Sequence, residues 1–473
     1  MKILFAASEA RPYAASGGLA DVVGSLPKAI AEKGNDCRIV IPLYKSVKPE
    51  LRDEMTFVTN ITVDVSWRKQ YCGIFKAVRG GVTYYFIDNE YYFSRDGMYG
   101  FYDDCERFVF FDRAVLEMLK YIDFTPDIIN CNDWQTALIP VYYNIYYKYQ
   151  QGYSDIKTVF TIHNIEYQGR YGKEILGEVM GIPMYNSNLL EYDGYINMMK
   201  GAIESSDRIV TVSPSYAWEI LDPWYAHGLD RILVTKQYKL SGILNGIDTS
   251  LYDPSSDVDI PAHFSAEDIS GKAECRNALC SELGFEMSDG PIIGIVTRFV
   301  GHKGIDLIRC VFDQMVQSGI RFAVLGSGER IYEDFFREMA ARYPGKVSVT
   351  IGFVSELSHR IYAGADMFLM PSQSEPCGLA QMIAMRYGTV PIVRETGGLR
   401  DSVRDNGGVN GNGFTFKTYN ADDMLDAVNR AVRDYNNKSE WTSLVKRAME
   451  CDYSWASSAD LYIETYNELV NAK

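Results

Sequence analysis

Short apolar runs, each followed by a helical pattern, recur along this chain in two separate series, and that alternation constrains the fold more than any other feature. Lys2 to Ser8 leads into a Gly17-Gly18 turn, an amphipathic helix through Lys33 and a second run from Cys37 to Leu43. A strand–helix–strand unit of this kind sets its strands parallel. Further runs follow at Asp127 to Trp134, Thr158 to Ile162 and Arg208 to Ser213. Between them, Thr56 to Phe86 alternates with a period of two, which predicts an antiparallel or mixed patch inserted in the first series. After Asp253 to Ser270, rich in Asp, Ser and Pro and reading as a linker or surface excursion, the pattern starts afresh. Its runs are Pro291 to Thr297, Phe322 to Leu325, Val347 to Ile351, Met367 to Met370 and Val390 to Val393. At 473 residues the chain is too long for one ordinary core. The expected fold class is α/β, with two Rossmann-like doubly wound domains and closing helices at Ala421 to Tyr435, Glu440 to Met449 and Ala456 to Val470.

Open α/β sheets bind ligands beyond the carboxyl ends of their strands, so polar residues there are the candidates. Glu375 lies in Ser372-Gln373-Ser374-Glu375, after the strand Asp366 to Met370, and Pro376 predicts the first turn of a helix to Tyr387. Thr396-Gly397-Gly398, at the next helix start, offers backbone N–H groups that suit phosphate oxygens. A carboxylate beside phosphates is repulsive, so Glu375 predicts a neutral, hydroxyl-rich partner on the same ligand. A sugar on a nucleoside diphosphate meets both requirements. Arg298 and Lys303, beside Gly301 and Gly304, follow the first strand of the second series. Arg offers a fork and Lys a compact charge for phosphate, while a pair of solvated surface charges is the competing reading. In the first series Asp133 and His163 sit at the ends of two strands and mark a second candidate cluster. Gly17-Gly18 lets backbone approach a ligand, or serves only the turn. Asn245-Gly246 reads as a turn dipeptide, and Gly326-Ser327-Gly328 as half a dinucleotide fingerprint.

The formal net charge of −15 argues against a general nucleic-acid or anionic-membrane binder. Nine cysteines without CxxC spacing favour a reducing compartment over a disulfide framework or a zinc site. Glu9 and Arg11 interrupt the apolar start too early for a signal peptide, so a first buried strand is expected there. No apolar run approaches the ~20 residues needed to span a bilayer. A cytoplasmic protein is the expectation.

Several motifs then occur in order over essentially the whole chain. They are SEA…GGLADVVGSLPKAI (Ser8 to Ile30), NDWQT (Asn132 to Thr136), TIHNIEYQG (Thr161 to Gly169), GILNGID (Gly242 to Asp248), TRFVGHKGIDL (Thr297 to Leu307), SHRIYAGADMFLMPSQSEPCGL (Ser358 to Leu379), TGGLRDSV (Thr396 to Val403) and DYSW (Asp452 to Trp455). This set resembles the bacterial glycogen synthase and plant starch synthase family. The resemblance implies a GT-B glycosyltransferase, with two Rossmann-like domains facing across a deep cleft. It implies an acceptor-side domain over 1–248, a nucleotide-sugar domain over 249–455, and a last helix over 456–473 packing back on the first. It implies transfer of glucose from a nucleotide-glucose, usually ADP-glucose, to the non-reducing end of an α-1,4-glucan such as glycogen. Configuration is retained, and neither metal nor cofactor is required. Carried onto this chain, Arg298 and Lys303 hold the diphosphate and Glu375 contacts the glucose hydroxyls. Cys377, Gly378, Leu379, Thr396, Gly397 and Gly398 line the sugar and phosphates, and Gly17 and Gly18 bring backbone to the phosphates. His163 and Asp133 lie near the transferred sugar with Asn245 close by, and Phe353 meets the nucleobase. The family's Lys-x-Gly-Gly-Leu loop is Ala15-Ser16-Gly17-Gly18-Leu19 here, which removes one cation from the donor site. A UDP-glucose-dependent synthase of the same fold and a non-catalytic nucleotide-sugar or glucan-binding protein are the alternatives.

Overall fold

The computed structural model describes residues 1–286, 288–408 and 410–471. The chain forms two compact units, one of Met1–Val212, Ala217–Gly246 and Trp455–Lys473, the other of Ser213–Tyr216 and Ile247–Ser454.

The first unit is built on β1 (Lys2–Ala6), α1 (Gly18–Glu32), β2 (Asp36–Pro42), β3 (Thr56–Val65), β4 (Arg68–Arg79), β5 (Val82–Asp88), α2 (Asp104–Met118), β6 (Ile128–Asn132), β7 (Lys157–Ile162), β8 (Arg208–Thr211) and β9 (Leu240–Gly242). These strands make one sheet in the order β9-β8-β7-β6-β1-β2-β5-β4-β3. It is parallel from β9 to β5, and antiparallel where β4 pairs with β5 and β3 with β4. The period-two segment therefore extends the parallel sheet rather than forming a separate one. The opening apolar run is the central strand, with Ile3, Leu4, Phe5 and Ala6 buried on both faces, as the continuous apolar character of a parallel strand requires. The C-terminal helix, Trp455–Asn471, contributes to the same unit. Tyr466 on it is buried and its hydroxyl accepts from Asn130 Nδ2 on β6 at 2.8 Å.

The second unit holds α3 (Ser270–Glu282), β10 (Ile292–Val296), β11 (Arg321–Gly326), β12 (Val347–Ile351), α4 (Ser355–Gly364), β13 (Met367–Met370), α5 (Ala380–Arg386), β14 (Val390–Arg394), α6 (Gly397–Ser402) and β15 (Phe414–Phe416). Its sheet is fully parallel in the order β12-β11-β10-β13-β14-β15. A core of Leu279, Ile292, Ala323, Leu325, Leu357 and Ile361 joins α3 and α4 to the strands.

Three local readings of the sequence are corrected. Pro376 does not open a helix: α5 starts at Ala380, because Gly378 takes a positive φ of 71° that no helical turn accommodates. Asn245-Gly246 makes no turn, and Asn245 is instead buried just beyond β9. The polar crossing after Asp253 is more than a solvated excursion. Asp257 is buried there, and its Oδ2 accepts from the Tyr387 hydroxyl and lies 2.7 Å from His359 Nδ1. Gly326 and Gly328 serve packing, since a Cβ at Gly326 would lie 1.9 Å from the Thr297 carbonyl oxygen.

Candidate active site

Strand order in each sheet reverses at one point. In the first unit β1 lies between β6 and β2, so chain connections leave β1 in one direction and β6 in the other. In the second unit the same reversal falls between β10 and β13. Loops diverge from the carboxyl ends of such strand pairs and leave a crevice there. The residues that follow β1 and β6 are Glu9 and Asp133, and those that follow β10 and β13 include Lys303 and Glu375.

In the first unit β6 ends at Asn132, and Asp133 adopts φ 58° and ψ −177°. That region is close to glycine-only and costs of the order of 1–3 kcal/mol for any other residue. The conformation is held by the carboxylate, whose Oδ1 accepts from the backbone N–H of His163 at 2.8 Å and of Asn164 at 3.4 Å. Among the described residues no hydrogen bond within the chain is made to Oδ2. Burial pushes the Asp133 carboxyl up to about 7, the two amides pull it back, and the nearby Glu9 carboxylate adds to the rise.

His163 Nε2 lies 2.9 Å from Asn132 Oδ1. Asn132 spends its Nδ2 hydrogens on the carbonyls of Ala6 and Asn130, so Oδ1 is the acceptor and His163 Nε2 carries the proton. Burial pushes the imidazole down to about 3, so the ring is neutral and its Nδ1 carries a lone pair. His163 acts here as a dipole and acceptor, not as a cation.

Glu9, buried past the end of β1, accepts from the Ser16 N–H. Burial raises its carboxyl, and contacts with the Ser16 and Gly17 amides pull the other way. Ser8 Oγ meets the Tyr99 hydroxyl at 2.7 Å. The Ala15-Ser16-Gly17-Gly18 loop is exposed yet anchored from beneath by Glu9, with α1 starting at Gly18. The Gly17 N–H is thus near Glu9, and Gly18 opens the helix. Glu9 was not among the residues expected from the sequence. Its signal was there: an acid just beyond the carboxyl end of the first strand. Asn245, beyond β9, is three strands across from β6, roughly 14 Å at the usual strand spacing. Its Oδ1 is buried without a partner among the described residues.

In the second unit Lys303 Nζ donates to Glu375 Oε2 at 2.6 Å, with the side chains 15% and 8% exposed. Ser372 Oγ donates to the same oxygen at 3.0 Å. Lys303 is therefore not one of two solvated charges. Arg298, by contrast, is exposed, and no side-chain hydrogen bond within the chain is found for it among the described residues. Phe353 is 75% exposed on the loop after β12.

The glycines of Thr396-Gly397-Gly398 pack against the Glu375 loop. The N–H of Gly398 donates to the carbonyls of Glu375 and Pro376, both at 3.2 Å, and that of Thr396 to Arg394 at 2.9 Å. The Gly398 donor ties the start of α6 to the Glu375 loop. A Cβ at Gly397 would lie 2.0 Å from the Glu375 carbonyl oxygen, and one at Gly398 2.1 Å from that of Cys377. Gln381 Nε2 then secures the loop through the carbonyls of Cys377 (3.3 Å) and Gly378 (2.8 Å), and Leu379 is the N-cap of α5. Gly398→Ala is expected to destabilise by ~1–3 kcal/mol through overpacking and to displace Glu375. A thermal melt and a transfer assay check this, with wild-type behaviour in both counting against the contact.

The model of a starch synthase catalytic domain matches residues 2–235, and that of the group 1 glycosyl transferases matches residues 285–447. The chain is 49% identical to the glycogen synthase of Clostridium botulinum (strain Alaska E43 / Type E3), over 99% of both chains. It is 47% identical to that of Geobacillus stearothermophilus, over 99% of this chain and 98% of the relative. The solved catalytic domain of starch synthase IV from Arabidopsis thaliana, bound to ADP and acarbose, superposes with a TM-score of 0.92 at 36% identity over 99% of both chains. Sucrose-phosphate synthase from Thermosynechococcus elongatus, at 16% identity and a TM-score of 0.63 over the full length of both, shares the fold.

Proposed function

The chain belongs to the glycogen and starch synthase family of GT-B glycosyltransferases, and from that premise we propose that it transfers glucose from ADP-glucose to the non-reducing end of an α-1,4-glucan. The observation that carries the reading is the full-length similarity to a starch synthase domain that binds ADP and acarbose. In this proposal Lys303 and Arg298 neutralise the charge that grows on the leaving diphosphate, and Gly18 adds a backbone N–H. Preorganised donors of this type are worth roughly 3–4 kcal/mol each. Glu375, fixed by Lys303 and Ser372, accepts from glucose hydroxyls through its remaining lone pairs. Asp133 Oδ2 and His163 Nδ1 accept from hydroxyls of the transferred sugar or the acceptor. Cys377, Gly378 and Leu379 shape the sugar side, Phe353 offers a ring face to the base, and Asn245 Oδ1 offers one more acceptor.

Retention follows a front-face route in which the leaving phosphate takes the acceptor's proton. A covalent glucosyl adduct on Asp133 or Glu375 would contradict it. No helix among the described residues is long and apolar enough to cross a membrane.

Incubation with ADP-[14C]glucose or UDP-[14C]glucose and glycogen tests the reading. Label entering polymer from ADP-glucose supports it, and label from neither donor favours a binding protein instead. Ala15 leaves the loop without the family's cation, so donor affinity and nucleotide preference are what this assay decides. Ala15→Lys is expected to lower the KM for ADP-glucose several-fold, and an unchanged KM would remove Ala15 from the donor site.

A further inference from the structure

In the second unit the turn carrying Lys303 and the turn carrying Glu375 meet at more than their ion pair. The N–H of Gln373 donates to the His302 carbonyl at 2.8 Å. Gly304 takes φ 75°, and a Cβ there would lie 2.1 Å from the Pro371 carbonyl oxygen, so the two backbones touch. We propose that Arg394 and Tyr419 brace this junction and act as positioning residues for the donor diphosphate. The proposal rests on the donor-site reading above and adds to it two side chains that work through Gln373 and Lys303.

Arg394 ends β14, and its Nη1 donates to the Gln373 carbonyl at 2.7 Å. Gln373 is thereby held at both its amide and its carbonyl, the first by the Lys303 turn and the second by Arg394. Arg394 Nε donates in turn to the Lys417 carbonyl just past β15, at 3.2 Å. Two residues on, the Tyr419 ring lies against the guanidinium, its centroid 5.7 Å from Cζ. A cation at that distance from an aromatic face is attracted by the ring quadrupole. The Tyr419 hydroxyl donates to Asp306 Oδ1 at 2.5 Å. Asp306 sits in the first turn of the helix Ile305–Gln317, three residues after Lys303. The contacts close a ring, from the Lys303 turn through Gln373, Arg394 and Tyr419 back to the helix that Lys303 leads into.

The two turns follow different strands, β10 and β13, so nothing in the chain itself fixes their separation. In the donor-site reading Lys303 meets the diphosphate and Glu375 the sugar of one ligand, and a misplacement of about 1 Å between such groups costs about 10²-fold in rate. Arginine suits the brace because its fork spans two carbonyls while its face stacks, whereas a lysine satisfies one carbonyl and has no plane. Burial and the hydrogen bond to Asp306 hold the Tyr419 phenol above its usual range, so it remains a donor. The rival reading puts the Arg394 guanidinium on the diphosphate itself. Under it the Tyr419 hydroxyl, which points to Asp306, has no bearing on donor binding.

The KM values for ADP-glucose and glycogen, calorimetric binding of ADP, and hydrogen exchange of the Ser372–Glu375 segment test this in wild type, Tyr419→Phe, Arg394→Ala, Arg394→Lys and the double variant Arg394→Ala/Tyr419→Phe. Tyr419→Phe keeps the ring and loses only the hydroxyl, so it keeps the fold, which a melt verifies. It is expected to raise the donor KM and the ADP Kd about threefold, Arg394→Ala about thirtyfold and Arg394→Lys by an intermediate factor. The glycogen KM stays within about twofold in each. The double variant binds ADP no more weakly than Arg394→Ala, because the hydroxyl acts through the guanidinium. Exchange of the segment quickens in the same order. Wild-type donor KM in Tyr419→Phe, multiplied effects in the double variant, a glycogen KM that rises in step with the donor KM, or unchanged exchange in every variant overturns the brace. If wild type neither binds ADP nor uses ADP-glucose while exchange still quickens in the variants, the donor-site reading fails and the brace stands.

Discussion

Lys303→Ala lowers glucosyl transfer by about 10²–10³-fold and at the same time destabilises the second unit by about 3–5 kcal/mol. The double effect arises because Lys303 and Glu375 form a pair with little solvent access, 2.6 Å apart. Truncating the lysine strands a carboxylate on a side chain 8% exposed, with the Ser372 hydroxyl left as a donor. Adding Glu375→Gln to Lys303→Ala is expected to recover most of the stability, since a neutral amide needs no cation, but not the rate. Denaturant unfolding of the two single variants and the double, alongside transfer from ADP-glucose, measures the coupling. Wild-type melting of Lys303→Ala would contradict the buried pair. Recovery of turnover in the double variant would reduce Lys303 to a support for Glu375, with no part in holding the diphosphate. Arg298→Ala is the control: an exposed side chain, so loss of rate without loss of stability.

Much of this was legible in the sequence because it depends on periodicity. Ten of the strands follow from apolar runs bounded by turn residues, and Asp133, His163 and Glu375 follow from being polar at strand ends. What escaped depends on contacts distant in sequence. Phe414–Phe416 pairs with Ile392–Arg394 as a strand only three residues long, too short for any period to register. Gly397 and Gly398 look in sequence like a phosphate turn, and only the Glu375–Cys377 loop packed against them shows that their missing side chains serve that contact. Lys303 reads as a surface charge until its partner, 72 residues away, is brought to it. Glu9 was visible but was weighed only as an interruption of an apolar leader. The charged crossing near Asp257 looked solvated because its partners, His359 and Tyr387, come from helices far along the chain.

Asp133→Asn should separate stability from catalysis by pH. With its carboxyl raised to about 7 by burial, the native state holds a proton that the unfolded chain, near 3.9, gives up. Between those values the native state binds more protons, so this group makes stability fall as pH rises from about 4 to about 7, and the penalty is fully present above 7. Asn keeps an oxygen for the His163 and Asn164 amides but cannot ionise. The variant should therefore melt a few degrees above wild type at pH 8 and with it at pH 4. The difference is partial because Asp133 is half-buried and its free oxygen faces solvent. Activity should move the other way. If the ionised Oδ2 accepts from a sugar hydroxyl, wild-type kcat/KM for glycogen falls on the acid side with an apparent pKa near 7, and the variant loses about 10²-fold at pH 8 together with that limb. His163, already neutral above about 3, contributes no limb of its own in this range. An acid limb that persists unchanged in Asp133→Asn would assign the titration to another group, with Glu9, also raised by burial, the first to examine.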